Sequence, residues 1–257
     1  MNTSPLLSFC ITCKNRFHQI RNTLSENLQD NALHSDRIEF VLVDFNSDDG
    51  LREWVIENFR TELTSGYLKY YYTEELPQWH ACIAKNTAHA CATGEILVNL
   101  DCDNFTGANG GNYVMKKFEQ YGNYCVVHQF SGKYGDGSFG RIAVGSKYFG
   151  MIGGYDESFD PMGYQDADLM KRLIRFGLKY VSCTGALYNR AIPNTKEESI
   201  VQTNSPKTYD QMNESNQKKS MSNLSKDRLI ANNRKYGIRN GLFDHHGQLF
   251  QPNQLYK

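Results

Sequence analysis

The stretch ILVNLDCDN at residues 96–104 places two aspartates directly after an apolar run. The run indicates a buried strand, in which side chains two positions apart point to the same side. Asp101 and Asp103 should therefore face one spot together, with Cys102 turned away from it. Two carboxylates that close repel each other unless a cation or a hydrogen-bonded loop compensates them. The stretch therefore predicts either a site for a divalent cation or a hydrogen-bonded turn at a strand end.

Strand-like and helix-like segments alternate ahead of this stretch. Each apolar run of strand character is followed by a segment with apolar residues at helical spacing. Such alternation predicts an α/β fold with parallel β-α-β units, whose ligands bind at the carboxyl ends of the strands. Asp44 and the pair Asp101 and Asp103 follow predicted strands at that edge, which we therefore expect to bind a ligand. The predicted strand and helix pairs cover residues 6–11 and 16–28, 38–43 and 51–59, and 67–73 and 80–94.

The pattern is less regular after residue 105, where glycine is frequent. The segment DADLMKRLIRFG at residues 166–177 predicts a helix with an acidic first turn and a stop at Gly177. Residues 192–219 are rich in Asn, Ser, Lys and Gln and predict a loop or a lid that orders on ligand binding. Residues 222–237 predict one more helix, and the last twenty residues carry no clear pattern.

The composition limits the classes to which the protein can belong. The 257 residues contain 28 basic and 28 acidic side chains without a block of like charge, which argues against a nucleic-acid partner. The sequence has no secretory signal pattern at its start and no run of about 18 apolar residues, so we expect no transmembrane segment. Seven scattered cysteines are typical of a reducing compartment and favour a cytoplasmic location, with peripheral membrane contact left open. The lone CxxC at Cys10 and Cys13 favours core cysteines over a zinc site.

Two acidic residues and one lysine are candidates for chemistry. Asp166 and Asp168 lie in the first turn of the predicted helix, where acidic residues ordinarily cap the helix and offset its dipole. Asp168 precedes Arg172 by four positions, which favours an ion pair within the helix, so Asp166 is the better candidate for a general base. Lys85 lies on a predicted helix, where it would face solvent or offset the charge of a diphosphate.

Common nucleotide-binding and hydrolase motifs are absent from the sequence. There is no GxxxxGK[ST], no GxSxG, and no GxGxxG at the helix after the first strand. The remaining way to bind a nucleotide is through a metal ion that bridges its diphosphate to the protein.

Taken in order, these motifs resemble those of the GT-A glycosyltransferases, family 2 in particular. The resemblance covers roughly residues 6–181 and implies a Rossmann-like fold. Its mostly parallel central sheet would be flanked by helices, with a C-terminal loop and helix extension. The fourth matching stretch is similar to the acceptor-side segment of β-1,4-galactosyltransferase and chondroitin-polymerase type enzymes. The matching stretches are LLSFCITCKNRFHQIRNTL at 6–24, IEFVLVDFNSDDG at 38–50, AKNTAHACATGEILVNLDCDN at 84–104 and FGMIGGYDESFDPMGYQDADLMKRLIRFG at 149–177.

The resemblance implies a domain division and a set of residue roles. Residues 1–191 would form the glycosyltransferase domain, with a nucleotide-binding half at 1–104 and an acceptor-side half at 105–191, and residues 192–257 would form a lid or helical extension. Asp166 would be the catalytic base. The other implied roles are donor binding by Thr12, Asp44, Lys85, Asp101, Gly153 and Gly154, binding of Mn²⁺ or Mg²⁺ by Asp101 and Asp103, and acceptor-side positions at Gly163, Gln165 and Asp168.

The implied activity is a metal-dependent transfer of a sugar, with inversion favoured over retention. The donor would be a nucleotide-diphosphate sugar, preferably a UDP-sugar, and the acceptor a hydroxyl of a glycan, a lipid-linked glycan or a small molecule. The alternatives are a catalytically silent nucleotide-sugar-binding module and a Mg²⁺-dependent nucleotidyltransferase.

Three departures from the family pattern bear on this interpretation. Phe45 stands where many relatives have a second aspartate, which weakens the expectation of a uracil contact. Gln165 replaces a glutamate, and residues 188–198 lack the histidine that completes the metal site in relatives, so that Asn189 or water would take its place.

Overall fold

The predicted β-α-β units form the centre of a mixed sheet. The computed structural model describes residues 6–184 and 188–252, and in this part of the chain nine strands form one sheet. The strands are Leu7–Cys13 (β1), Ile38–Asp44 (β2), Leu68–Thr73 (β3), Ile96–Asn99 (β4), Cys125–His128 (β5), Ile142–Gly145 (β6), Lys179–Ser182 (β7), Leu242–Asp244 (β8) and Leu249–Phe250 (β9).

The strand order is β7-β5-β6-β4-β1-β2-β3-β8-β9. The four neighbouring strands β4, β1, β2 and β3 are parallel, as the alternating pattern predicts. Of the nine strands described, β6 and β8 run opposite to the other seven, because β6 lies antiparallel between β4 and β5 and β8 lies antiparallel between β3 and β9. The sheet is therefore mostly parallel, as expected. The predicted α/β class with a central sheet and flanking helices is confirmed.

Helices cover both faces of the sheet. Along β1, Phe9 packs with one face and Cys10 with the other, since successive side chains of a strand point to opposite sides. Cys10 and Cys13 are buried free thiols. The helices are Phe17–Asn31 (α1), Leu51–Asn58 (α2), Arg60–Ser65 (α3), Ala81–Cys91 (α4), Gly110–Tyr121 (α5), Ser146–Met151 (α6), Gln165–Arg175 (α7), Lys196–Ile200 (α8) and Tyr209–Ser225 (α9).

The C-terminal part differs from the sequence prediction. Residues 192–219 contain α8 and most of α9 instead of a loop, and residues 222–237 are not one helix, because α9 ends at Ser225. Helices α8 and α9 each start at a capping box, in which the side chain of Thr195 or of Thr208 accepts a hydrogen bond from the backbone amide three residues later. The chain then turns at Asp227, whose φ of 54° does not fit a helix.

No helix within residues 6–184 and 188–252 is both long and apolar enough to cross a bilayer.

Candidate active site

Three charged side chains meet at the carboxyl ends of the parallel strands. Lys85 of α4 is 4% exposed, and its Nζ lies 2.9 Å from Asp166 Oδ1 and 3.3 Å from Asp101 Oδ1. Asp101 follows β4 and Asp166 lies in the first turn of α7, so three separate elements meet here. Asn99 supports the cluster by donating to Asp101 Oδ1 at 3.1 Å and to the carbonyl of Gly140 at 2.9 Å. We call Lys85, Asp101 and Asp166 the charge cluster.

The charge cluster sets the protonation of its members. Burial disfavours the charge of Lys85, but the attraction of Asp101 and Asp166 outweighs it and raises the pKa of Lys85 well above its usual range. Burial raises the pKa of Asp166, although the neighbouring Lys85 acts in the opposite direction. Lys85 therefore remains a cation, and Asp166 is more basic than an exposed aspartate.

Asp101 and Asp103 lie in a turn, not on a strand. The strand β4 ends at Asn99, and the amide of Asn104 donates to the carbonyl of Asp101 at 2.9 Å. Asp103 is 9% exposed and accepts from the side chain of Asn104 at 2.6 Å. Burial and the nearby charge of Asp101 raise the pKa of Asp103 to about 6. The turn thus concentrates negative charge that an added cation would relieve.

The donor set of this turn fits a hard divalent cation shared with a substrate. Two carboxylates supply oxygen ligands of the type that Mg²⁺ and Mn²⁺ prefer. In the described part of the chain, no three His, Cys, Asp or Glu side chains are grouped so that they could hold a metal. A cation here would therefore complete its coordination with substrate phosphates and water. The amide of Asn189, oriented to satisfy its hydrogen bonds, donates to the carbonyls of Gln129 and Tyr188, both at 3.0 Å.

Helix α1 holds the turn in place through polar residues that the sequence analysis missed. Thr23 donates to the carbonyl of Cys102 at 2.6 Å. Asn27, which is fully buried, donates to the carbonyl of Asn104 at 2.9 Å and accepts from the amide of Thr106 at 2.7 Å. The sequence signal for this supporting role was a pair of polar residues, Thr23 and Asn27, four positions apart on the apolar face of a predicted helix.

Arg141 joins the same turn to the start of the C-terminal segment. Its guanidinium is 1% exposed and donates to Asn104 Oδ1 from Nε at 3.2 Å and to the carbonyl of Arg190 at 3.1 Å. The amide of Ile192 donates to the carbonyl of Asp103 at 2.8 Å. The segment predicted as a lid therefore begins directly on the aspartate turn.

Gly140 is a further site residue that sequence reasoning missed. A Cβ atom at this position would lie 2.8 Å from Asp101 Oδ2, 3.2 Å from Asp166 Oδ2 and 3.3 Å from Lys85 Nζ. The absence of a side chain lets the backbone approach all three charges. Nothing in the local sequence marks Gly140 among the other glycines of residues 132–140.

The predicted nucleoside residues lie further along the same sheet edge. Asp44 at the end of β2 is 2% exposed, and its oxygens accept from the amide of Ser47 at 2.9 Å and the hydroxyl of Tyr70 at 2.7 Å. Burial raises the pKa of Asp44. Thr12 pairs with β2 beside it and is 6% exposed. Asp44 thus supports the loop that follows β2.

Phe45 does not take the position of a base contact. Its side chain is fully buried, and its ring meets Trp79 edge-on at 5.7 Å. The substitution relative to the family pattern therefore adds to the core on the α4 face of the sheet.

The glycines expected to shape a donor and acceptor pocket instead pack against protein. A Cβ on Gly153 would lie 2.0 Å from the carbonyl of Ala231, and one on Gly154 would lie 2.3 Å from Asn86 Oδ1. A Cβ on Gly163 would lie 2.8 Å from Cβ of Asn213 in α9. Their positive φ values of 73°, 65° and 92° also favour glycine. The structure thus gives these three glycines a packing role.

Asp168 is buried away from the charge cluster, and its predicted pairing is present. Asp168 is 1% exposed and accepts from Arg172 Nε at 2.6 Å, while Arg172 donates onward to the carbonyl of Gly154 at 2.7 Å. An acceptor-side role for Asp168 does not fit this burial. Gln165 does lie beside the cluster, with Nε2 at 3.4 Å from Asp166 Oδ2 and with an Oε1 that has no hydrogen-bond partner among the described residues.

A cavity of about 370 Å³ lies at the opposite end of β4 from the charge cluster. It is therefore separate from the predicted donor site. Its lining consists of Glu95, Asn123, Tyr124, Gly145, Ser146, Lys147 and Tyr148.

A family model described as glycosyl transferase family 2 matches residues 8–193. The chain belongs to this family. The predicted family and GT-A fold are therefore confirmed, while the likeness of residues 149–177 to the acceptor-side segment of particular enzymes stays a prediction. A comparison of the sequence with curated proteins found no match.

Solved glycosyltransferase structures share the fold. The mannosyltransferase PcManGT from Pyrobaculum calidifontis, in complex with GDP-Man and Mn²⁺, has a TM-score of 0.60 at 18% identity, over 75% of this chain and 58% of that one. S. aureus TarS 1-349 in complex with UDP has a TM-score of 0.58 at 14% identity, over 72% of this chain and 60% of that one. The same TarS segment with UDP-GlcNAc gives a TM-score of 0.57 at 14% identity, over 75% of this chain and 60% of that one. This family 2 chain thus spans about 60% of the length of the PcManGT and TarS 1-349 structures.

Proposed function

We propose that this family 2 protein transfers a sugar from a nucleotide-diphosphate sugar to a hydroxyl group of an acceptor. The observation that carries the proposal is the charge cluster. It places a buried, cationic lysine and an aspartate whose side chain is 13% exposed beside the turn of Asp101 and Asp103. The proteins of similar fold were solved with GDP-Man and Mn²⁺, with UDP and with UDP-GlcNAc, which supports the donor class.

Each member of the cluster has one task in this proposal. Asp166 accepts the proton of the acceptor hydroxyl as its oxygen attacks the anomeric carbon of the donor sugar, and a single attack of this kind inverts the configuration. Lys85 offsets the negative charge that develops on the leaving nucleoside diphosphate. Asp101 and Asp103 would hold Mn²⁺ or Mg²⁺, which when bound supplies Lewis-acid stabilisation of the diphosphate.

We favour a UDP-sugar as donor and a cytoplasmic location, and the acceptor is a glycan, a lipid-linked glycan or a small molecule. Lys85 touches both Asp101 and Asp166, so one cation connects the diphosphate side of the site with the acceptor side.

The test compares Asp166→Asn with Asp227→Asn in donor turnover. Asp227 is a matched control because it pairs with Arg175 of α7, the helix that also carries Asp166. Its own side chain is 69% exposed. UDP-glucose, UDP-GlcNAc and GDP-mannose would be supplied with Mn²⁺, and the release of nucleoside diphosphate would be measured. The release of pyrophosphate would be measured in separate reactions that contain UTP or GTP with a sugar 1-phosphate. We expect nucleoside diphosphate release that falls about 10²- to 10⁴-fold in Asp166→Asn and not in Asp227→Asn.

Donor binding separates the roles of the residues. Thermal shift with each nucleotide-sugar should persist in Asp166→Asn, because the base does not hold the donor, and should fall when EDTA removes the metal. Wild-type activity in Asp166→Asn would contradict the proposal. Release of pyrophosphate from a nucleoside triphosphate and a sugar 1-phosphate, without release of nucleoside diphosphate from a nucleotide-sugar, would indicate a nucleotidyltransferase. Donor binding without either reaction would indicate a silent binding module.

A further inference from the structure

Three aromatic side chains form a cluster beside the charge cluster that the proposed chemistry does not use. Phe130, Tyr134 and Phe139 have ring centroids 5.1 to 5.5 Å apart. Tyr134 is 78% exposed, while Phe130 and Phe139 are partly buried. Such an exposed ring adds little to the core, and exposed apolar surface next to a site commonly marks a binding surface.

A short loop holds the rings in this arrangement. Asp136 accepts from the amide of Ser138 at 2.9 Å and from its hydroxyl at 2.6 Å, and it also accepts from the hydroxyl of Ser131. Below the rings, buried His128 at the end of β5 lies 2.7 Å from the carbonyl of Phe139 through Nε2, and its ring stacks on Phe130 at 5.4 Å. These contacts anchor the cluster to the sheet.

The position of the loop connects it with the acceptor side of the site. Phe139 directly precedes Gly140, which lies against Asp101, Lys85 and Asp166. In the sheet order, β5 and β6 lie on one side of β4, and β1 and β2, where the nucleoside is expected, lie on the other. A ligand on Tyr134 would therefore approach Asp166 from the side away from Asp44.

We propose that Phe130, Tyr134 and Phe139 form a stacking platform for a pyranose ring of a saccharide acceptor. One face of a pyranose carries C–H groups with partial positive charge, which matches the negative face of an aromatic ring. The hydroxyl groups at the rim of the sugar stay available to solvent and to the base. A saccharide held on Tyr134 would extend along Phe139 and Gly140 towards Asp166. Its role as the acceptor rests on the proposed function.

A binding experiment tests the platform without requiring turnover. Cellobiose, lactose and chitobiose would be titrated into the ¹⁵N-glycine-labelled protein, because Gly132, Gly135 and Gly137 all lie in the loop and report on it. We expect saturable shifts of these amides with at least one disaccharide. Tyr134→Ala should weaken that binding about 10-fold, and Tyr134→Trp should retain it.

Tyr124→Ala is the matched control. Tyr124 is 68% exposed and also contacts another aromatic ring, Tyr148 at 5.2 Å, but it lines the cavity at the opposite end of β4. Its replacement should leave saccharide binding unchanged. Equal binding by Tyr134→Ala and wild type, or no response of the loop glycines to any of the three disaccharides, would overturn the platform.

Kinetics distinguish failure of the platform from failure of the proposed function. With a disaccharide that binds, Tyr134→Ala should raise the acceptor KM about 10-fold and leave kcat and acceptor-independent release of nucleoside diphosphate unchanged. Unchanged acceptor KM with intact transfer would remove the platform and keep the transferase. The wild-type protein could instead bind a saccharide through Tyr134 and consume no nucleotide-sugar. That result would overturn the acceptor role, because the proposed function itself would have failed.

Discussion

At the scale of single residues, Gly140 gives the sharpest test of the charge cluster. A methyl group there would lie 2.8 Å from Asp101 Oδ2, so Gly140→Ala must displace at least one charged group. Misplacement of reacting groups by about 1 Å can cost about 10²-fold in rate, and we expect a loss of that order in nucleoside diphosphate release. The matched control is Gly145→Ala at the other end of β6, where the new Cβ would meet no atom closer than 3.4 Å. Equal turnover in the two variants would contradict a catalytic role for the cluster.

Lys85 should stabilise the fold as well as the proposed reaction. Lys85→Met leaves Asp166 and Asp101 facing each other without a cation, and breaking a buried ion pair in this way typically costs about 3 kcal/mol. Urea unfolding should report that loss, whereas Lys171→Met on the exposed face of α7 should change the free energy of unfolding little. The double variant with Asp166→Asn should recover part of the loss, because one of the facing charges is then gone. Additive effects of the two substitutions would show that Lys85 and Asp166 are not coupled.

The residues of the site differ in how far sequence could identify them. Asp101 could be placed because it follows a recognisable strand, and Asp166 because it opens a strongly amphipathic helix. Gly140 and Arg141 could not, because their partners lie far away along the chain and no local pattern encodes them. The spacing of Asp168 and Arg172 correctly predicted their ion pair, and that pairing argues against the acceptor-side role implied by family resemblance.

At the scale of elements, α1 should determine the geometry of the aspartate turn. Asn27→Ala would leave the carbonyl of Asn104 and the amide of Thr106 without their partner inside the protein. An unsatisfied buried group costs about 1–3 kcal/mol, so for these two groups we expect a loss of about 2–6 kcal/mol in the free energy of unfolding, together with weaker Mn²⁺ binding. Asn22→Ala on the exposed face of the same helix is the control, since the side chain of Asn22 donates to the carbonyl of His18 within its own helix. Urea unfolding and Mn²⁺ titration of both variants would decide, and matching values would exclude a supporting role for Asn27.

Elements with apolar periodicity could be predicted, and elements held by polar contacts could not. The helix α7 shows its apolar face in the sequence, with Leu169 and Leu173 buried. The helix α9 has a polar sequence and is held instead by Asn216, which is 1% exposed and donates to the carbonyl of Gly163 at 2.8 Å. Because such a contact depends on the position of a distant loop, the polar composition of residues 192–219 indicated a loop or a lid.

At the scale of the whole molecule, the C-terminal residues complete the sheet and the core. The strand β8 pairs with β3, and Phe250 of β9 contacts the ring of Tyr71 at 4.2 Å. Residues 231–238 lie against α4, where the amide of Ile238 donates to Thr87 at 2.9 Å. The parallel half of the sheet was predictable from alternating strands and helices, but the antiparallel hairpin was not, because its short strands carry no extended pattern.

The division at residues 191 and 192 can be tested by truncation. If residues 1–191 were a separate domain, that fragment should fold alone. We expect instead that it fails to unfold cooperatively, because it lacks Met212, Tyr236 and Leu242, which are 0%, 3% and 0% exposed. Burial of such side chains contributes about 2 kcal/mol each, which together is comparable with the total stability of a domain at about 5–15 kcal/mol.

Removal of these residues would also expose the backbone hydrogen-bonding groups along the edge of β3, and an exposed sheet edge promotes aggregation. The control fragment ends at Pro252 and keeps every described residue, so it should unfold in one cooperative transition. Circular dichroism in urea would compare the two fragments, with size-exclusion chromatography to detect aggregates. A monomeric 1–191 fragment with a cooperative transition and a thermal shift on adding nucleotide-sugar would instead establish the division that the family resemblance implies.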